Sequence, residues 1–181
     1  MQKLAAPSLV ALLVFLFISA GSAQEPAPAP KAGPEHEKLA YFVGTWKSEA
    51  EVKPTSFGPG GKYTATETCD WLPGKFAVLC KAEGTLMGGE VHELSVMSYD
   101  LGEKSYVYFS TNNWGENTYT HGSLDGDTWT WANESKYNGQ PVKTHFVLKQ
   151  LSPDSATFSF DMAMGSQPLA NVMTGKQTRQ K

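Results

Sequence analysis

The sequence has little of what nucleic-acid-binding and membrane-surface proteins require. Arg179 is the single arginine among 15 basic residues, and 18 acidic residues outnumber them. A net charge of −3 argues against nucleic acid as a partner, because phosphate recognition needs clustered lysine and arginine. The same charge balance gives no attraction to an anionic membrane surface.

Motifs for catalysis and metal binding are also missing. No Gly-x-Ser-x-Gly segment is present, so the sequence offers no nucleophile elbow. The histidines are scattered along the chain without metal-ligand spacing, at His36, His92, His121 and His145. We therefore predict no catalytic residue, no metal and no cofactor.

Cysteine is scarce, since Cys69 and Cys80 are the only two. An even pair permits a disulfide if the chain is exported, as the N-terminal segment described next predicts. If a hairpin turns at Gly74-Lys75, the two cysteines lie directly opposite each other on one face, whereas a turn one residue longer would separate them. Two buried free thiols and a metal pair are the alternatives, and the metal pair lacks neighbouring histidine or cysteine ligands.

Long apolar runs are confined to the N-terminus. Lys3 precedes an apolar stretch over residues 4–18, and small residues follow at 19–23, which is typical of a secretory signal peptide. The apolar stretch is shorter than the ~20 residues that a membrane span needs. We expect residues 1–23 to be removed, with no membrane insertion afterwards and with export to the periplasm or the extracellular space.

The remaining chain divides into a linker and one domain. Residues 24–34 are rich in alternating proline and alanine, which favours an extended, semi-rigid spacer. Residues 35–181 have the length of one ordinary domain. Its first segment, residues 35–42, carries helix formers with apolar residues three and four apart, so we predict a short helix with Leu39 and Phe42 facing inward.

From Trp46 onward polar and apolar residues alternate, which indicates strands with one solvent-exposed face and one buried face. About ten such runs follow, separated by tight turns that we place at residues 84–89 and 123–127 among others. No long helix lies between them, and parallel strands would need crossover helices. The fold class is therefore all-β, an antiparallel up-and-down closed β-barrel of about ten strands, because closure removes exposed edges. A two-sheet sandwich is the alternative.

A barrel of ten strands has more interior than its own side chains readily fill, so we expect a lumen that can hold a ligand. Glu67 stands out, because alternation places it inside, where a carboxylate must be paired, hydrated or protonated. It would anchor the polar end of a ligand, unless a bulge reverses the register or water fills the lumen. The predicted ligand-binding residues are Glu67, Tyr106, Tyr108, Trp129, Trp131, Phe158 and Phe160. Aromatic residues on strands also form ordinary core.

The segment Gly44-Thr45-Trp46 after a short helix, together with Arg179 on the last strand, resembles the lipocalin-like (calycin) superfamily. The resemblance covers about Leu39 to Arg179. It implies a barrel whose base is closed by Trp46, with Arg179 stacked on it as a cation–π contact. Gly44, Trp46 and Arg179 are then the closure residues. Some related small barrels hold haem through a histidine near the C-terminus, but this chain has none after His145.

More narrowly, three segments resemble a bacterial group of exported lipocalin-like proteins described only as a domain of unknown function. They are residues 43–46, 98–100 and 125–129. The resemblance implies a fold and does not by itself give a function.

The sequence thus favours a non-catalytic, exported barrel that binds a small, largely apolar molecule. An enzyme that acts on a lumen-bound molecule through Glu67 or a histidine is one alternative. A structural or interaction protein without a ligand is another. Nothing in the sequence indicates the oligomeric state.

Overall fold

The computed structural model describes residues 30–55 and 58–181, and this part of the chain begins with two short helices. Helix α1 (Pro34–Glu37) runs directly into a 3-10 helix (Lys38–Tyr41). Pro34 suits the first turn, where no backbone donor is needed. Leu39 and Phe42 are buried, as their spacing predicted. The expected signal peptide, residues 1–23, lies outside the described residues.

Neither of these two helices, the only ones in the described part of the chain, is long and apolar enough to cross a membrane.

Alternating residues then form strands, separated by turns that are rich in glycine. The strands of the described chain are β1 (Gly44–Val52), β2 (Gly61–Trp71), β3 (Ala77–Leu86), β4 (Gly89–Asp100), β5 (Ser105–Asn112), β6 (Asn117–Asp125), β7 (Thr128–Tyr137), β8 (Gln140–Ser152), β9 (Ser155–Met164) and β10 (Ala170–Arg179).

Each strand pairs antiparallel with its neighbours in sequence, and β1 also pairs with β10. Trp46 on β1 lies opposite Glu67 on β2 and opposite Arg179 on β10. The sheet therefore has no free edge, which confirms the closed antiparallel barrel and excludes the two-sheet sandwich.

Two turns lie later than the sequence predicted. Gly84 belongs to β3, and the chain turns instead at Met87 and Gly88, both of which have positive φ. Likewise β6 continues through Asp125, and the turn is formed by Gly126 and Asp127. Gly84 allows the neighbouring strand to pack closely and does not form a turn. The turn predicted at residues 84–89 therefore begins too early.

Gly84→Ala is expected to destabilise the barrel by roughly 1–3 kcal/mol, the usual range for overpacking. An added Cβ would lie 2.6 Å from the Ala65 Cα, and that backbone cannot move away as a flexible side chain would. Urea denaturation measures the effect, with Glu83→Ala at the neighbouring exposed position as the control. Equal midpoints for the two variants would contradict this account of Gly84.

The closed end of the barrel is formed where β1 begins and β10 ends. The Arg179 guanidinium carbon lies 4.2 Å from the centre of the Trp46 ring. The Trp46 indole Nε1 donates to the Phe42 carbonyl oxygen at 2.9 Å. Arg179 also donates to the carbonyl oxygens of Val43, Tyr41 and Pro153, so one side chain ties the last strand to the N-terminal segment.

A disulfide joins Cys69 on β2 to Cys80 on β3, and the two residues are direct partners in the ladder. Both are fully buried. The bond forms because the hairpin closes around Gly74 and Lys75, the residues that the sequence suggested, so the cysteines face each other on the inner side.

Candidate functional site: the barrel lumen

The inner surface changes character from one end of the barrel to the other. On β3 the inward residues Val78 and Cys80 are completely buried, whereas Ala82, Gly84 and Leu86 are partly exposed. The solvent exposure of the inward side chains therefore increases along this one strand. We conclude that the barrel is sealed at the Trp46 end, and we call the opposite end, toward which the inner face of β3 becomes more accessible, the open end.

Two of the predicted ligand residues, Tyr106 and Trp129, lie in the sealed end. Their ring centres are 4.7 Å apart, and Trp129 also packs against Phe42 at 5.0 Å. The Tyr106 hydroxyl donates to the Glu35 carboxylate of α1 at 2.8 Å. Trp129 is fully buried and Tyr106 nearly so, and both therefore act here as packing that fills the base.

An aromatic wall lies above that base. Trp131 stacks on Trp129 with ring centres 5.7 Å apart and planes 8° apart, and Phe146 lies 6.0 Å from Trp131. Phe158 stacks on Phe146 at 5.7 Å. Phe146, Phe160 and Tyr108 keep accessible surface. These side chains would form the apolar surface that a ligand in the lumen meets.

Two carboxylates lie on one row of the inner wall. Glu67 on β2 is paired with Ala82 on β3, and Ala82 is paired with Glu93 on β4. No bulge interrupts this pairing, so the register reversal considered for Glu67 does not occur. Because Ala82 is small, the wall between the two carboxylates carries little side-chain bulk.

Glu67 is held in an environment that favours its neutral form. Burial within the barrel is the main cause that raises its pKa to about 7, the negative charge of Glu93 contributes to this rise, and a hydrogen bond from Gln177 opposes it. The Gln177 Nε2 donates to the Glu67 Oε2 at 3.4 Å. Glu67 nevertheless keeps accessible surface, so it faces a lumen that solvent can reach.

Glu93 is the partner that sequence reasoning missed. Burial raises its pKa, and hydrogen bonds with Tyr108 and Ser110 oppose that rise. The Tyr108 hydroxyl donates to the Glu93 Oε1 at 2.7 Å. Burial also raises the pKa of Tyr108 well above its usual value, with Glu93 and Glu67 adding to the effect. Tyr108 therefore remains a neutral hydroxyl donor at ordinary pH.

Gln177 on β10 completes the polar band around Glu67 and Glu93. Its side chain is 6% exposed, and its Oε1 has no hydrogen-bond partner. A buried acceptor without a partner is costly, typically ~1–3 kcal/mol. The band thus contains at least one acceptor that the protein itself does not satisfy.

The histidines do not join this band. His92 and His121 are exposed on the outer wall, and His145 lies on the outer face opposite Asp161, 3.6 Å away. His36 is buried near the sealed end, where it packs edge-on against Phe76 and Tyr99. Among the described residues, the lumen therefore contains carboxyl groups without an accompanying imidazole.

A group of metal-ligating residue types lies next to the band. Ligand atoms of Glu67, Cys69 and Cys80 are all within 4.8 Å of one another. The two sulfurs are bonded to each other, so this group has no free thiolate to offer a metal.

The outer wall carries a separate concavity of about 610 Å³ across β10, β1 and β2. Charged side chains around it already pair with one another, since Glu49 is 3.0 Å from Lys47 and 3.5 Å from Lys176. Its lining has two acidic residues, Glu49 and Glu51, and two basic residues, Lys62 and Lys176, so neither charge is in excess. The lumen remains the candidate site.

Comparisons with known proteins agree with this fold. Residues 31–179 match the model of a family described as a protein of unknown function, DUF1579. No curated protein sequence matches the chain significantly. The crystal structure of Rv2717c from M. tuberculosis is similar, with a TM-score of 0.59, 13% identity, and coverage of 83% of this chain and 100% of that one.

The S-type phycobiliprotein lyase CPES from Guillardia theta is also similar, with a TM-score of 0.56 and 10% identity over 81% of this chain and 93% of that one. At these identities the likeness shows a shared fold and carries no statement about ligands. The lipocalin-like resemblance inferred from the closure residues is confirmed at the level of fold.

Proposed function

This chain belongs to the DUF1579 family of proteins of unknown function, and from that premise we propose that its barrel binds a small, largely apolar molecule without catalysing its conversion. The observation that carries the proposal is the partly exposed aromatic wall in the open half of the lumen. Apolar concave surfaces with a few polar groups are the usual form of small-molecule sites.

The mouth of the barrel supports the same function. Four large apolar residues, one on each of four loops or strand ends at the open end, are 37–54% exposed: Met87, Trp114, Tyr137 and Leu169. An apolar rim lowers the cost of bringing an apolar molecule from water to the lumen.

Export is part of the proposal. Residues 1–23 have the composition of a signal peptide, and the Cys69–Cys80 disulfide suits an oxidising compartment. N-terminal sequencing of the protein from the periplasm or medium of its own host tests this, and a first residue at or near Gln24 is expected.

We expect native mass spectrometry of the protein from its own host to show a bound small molecule. Ala82→Phe places a ring in the middle of the lumen and should abolish co-purification, because Ala82 lies between the two carboxylates. Thr85→Phe adds the same bulk at an exposed position of the same strand and should retain the molecule. Adduct-free wild-type protein that also takes up no added apolar probe would overturn the proposal.

The same experiment separates binding from catalysis. A carboxyl with a pKa of about 7 is suited to proton transfer, which makes Glu67 the residue an enzymatic role would use. Conversion of the bound molecule by wild type but not by Glu67→Gln would assign a reaction to the lumen.

A further inference from the structure

We propose that the lumen selects a ligand with a flat apolar body and a cationic end, such as a protonated amine or amidine, which lies between Glu67 and Glu93. This inference rests on the proposed function and names the chemical class of its ligand. It follows from the placement of charges, acceptors and donors on the inner wall.

The row Glu67–Ala82–Glu93 supplies the geometry. Direct neighbours on adjacent antiparallel strands have Cβ atoms about 5 Å apart, so the two glutamate Cβ atoms are roughly 10 Å apart with only a methyl group between them. An ammonium or amidinium group placed over Ala82 has only N–H donors, and it can donate hydrogen bonds to both glutamates. The small residue thus leaves the space that a cation would occupy.

The charge balance of the lumen points the same way. Glu67 and Glu93 are the only acidic residues at inward positions of the described strands, and every lysine on those strands alternates outward. Arg179 is engaged at the sealed end by Trp46 and by backbone carbonyls. The described lumen therefore holds two acids with no basic side chain to compensate them.

Gln177 provides an independent observation. Its side chain is more than nine-tenths buried, it contacts Glu67 through Nε2, and its Oε1 lacks a partner. This uncompensated acceptor adds to the negative potential beside Glu67. That potential favours a cationic nitrogen, and disfavours an anion, next to the carboxylate.

The free donors near the lumen cannot serve an anion instead. The indole nitrogens of Trp129 and Trp131 have no hydrogen-bond partner, but Trp129 is fully buried. The Nε1 edge of Trp131 faces the strand wall, since it lies 2.7 Å from where a Cβ on Gly122 would be. The Tyr108 hydroxyl is already used by Glu93. A carboxylate ligand, such as a fatty acid, would meet two glutamates, and none of these three groups could donate to it.

The test compares three molecules that share one flat ring system and differ in charge. These are 9-aminoacridine as the cation, acridine as the neutral form and acridine-9-carboxylate as the anion, each titrated near pH 8 by fluorescence or calorimetry. We expect the cation to bind at least about tenfold more tightly than acridine, the effect of one favourable charge interaction in a partly buried site. The carboxylate should bind most weakly.

Variants then assign the preference to the lumen. Glu67→Gln should weaken 9-aminoacridine binding about tenfold and leave acridine binding within about twofold, which also shows that the variant is folded. Glu83→Gln removes the same charge from an exposed position on β3 and should change neither affinity.

The outcomes separate this inference from the proposed function. Equal affinities for cation and neutral probe, or tighter binding of the carboxylate, would overturn the cation preference and leave apolar binding intact. If none of the three probes binds wild type that native mass spectrometry shows to be free of any co-purified molecule, both the preference and the binding function are wrong.

Discussion

Trp46→Ala is expected to lower the free energy of unfolding by roughly 3–5 kcal/mol, the usual loss for deleting a buried aromatic side chain. Trp46 is 1% exposed, and its indole nitrogen is bonded to the Phe42 carbonyl oxygen. Its ring also packs against Tyr41 at 5.2 Å and carries the Arg179 guanidinium. Alanine would leave a cavity at the sealed end. It would also remove the hydrogen bond to the Phe42 carbonyl and the ring on which the Arg179 guanidinium stacks.

Urea denaturation followed by far-UV circular dichroism measures this loss. Trp114→Ala is the matched control, because Trp114 is 45% exposed on the turn between β5 and β6 at the open end. We expect that control to cost less than about 1 kcal/mol, as surface substitutions usually do. If the two tryptophan variants unfold at the same urea concentration, Trp46 does not close the barrel.

Arg179 explains why the sealed end depends on two side chains. Its planar guanidinium covers the Trp46 ring while its N–H groups reach carbonyls of the N-terminal segment. A lysine could keep the charge but not this fork of donors. The base is thus closed where the first and last strands meet, the seam at which the sheet would otherwise open.

The fold could be predicted from the sequence because it depends on local patterns, namely the alternation of residues along strands and the position of the hairpin turns. Alternation on β2 puts Glu67, Cys69 and Trp71 on one side, and the hairpin turn at Gly74 and Lys75 fixes the register with β3. Because one face of each strand is buried, a slip of one residue would expose the core, so register is strongly specified. Inward placement of Glu67 is a direct consequence.

Glu93 and Gln177 could not be found in the same way. On β4 the inward residues include Glu93 and Ser95, whereas Leu94 points outward and is 39% exposed. Phe109 and Tyr119 on the neighbouring strands are likewise outward, at 41% and 56% exposed. Hydrophobic periodicity therefore gives no reliable inner face here, because the lumen is partly polar and the outer wall partly apolar.

The polar band arises only when distant strands meet. Glu67 and Gln177 are 110 residues apart in sequence and come together because β1 lies between β2 and β10. The positions of the two residues in the sequence do not reveal this contact, because it depends on how the barrel closes. Functional positions of this kind depart from the local rules that specify the strands.

Glu67→Gln is expected to reduce the loss of stability that wild type shows between about pH 5 and pH 7. In the folded protein the Glu67 pKa is raised from 4.5 to about 7, first by burial and then by Glu93. Within this window the unfolded chain releases its proton and the folded chain keeps it. The free energy of unfolding therefore falls as pH rises through the window, and it levels off above about pH 7.

The size of the effect follows from that difference in pKa, which corresponds to roughly 3 kcal/mol. At about pH 8 the glutamine variant should therefore melt roughly 5–10 °C higher than wild type, while the two should agree more closely near pH 5. The other groups that face Glu67, namely Glu93, Tyr63, Tyr108 and Gln177, remain in both proteins.

Thermal melts at several pH values measure both profiles, and Glu83→Gln should keep the wild-type profile because its carboxyl is exposed. Parallel profiles for wild type and Glu67→Gln would show that Glu67 titrates as an ordinary surface acid. A carboxylate retained at a cost of this size is hard to explain by folding alone, since glutamine would fill the same space without a buried charge. A measured gain in stability for Glu67→Gln would therefore support the proposal that Glu67 serves a partner that the folded chain does not supply.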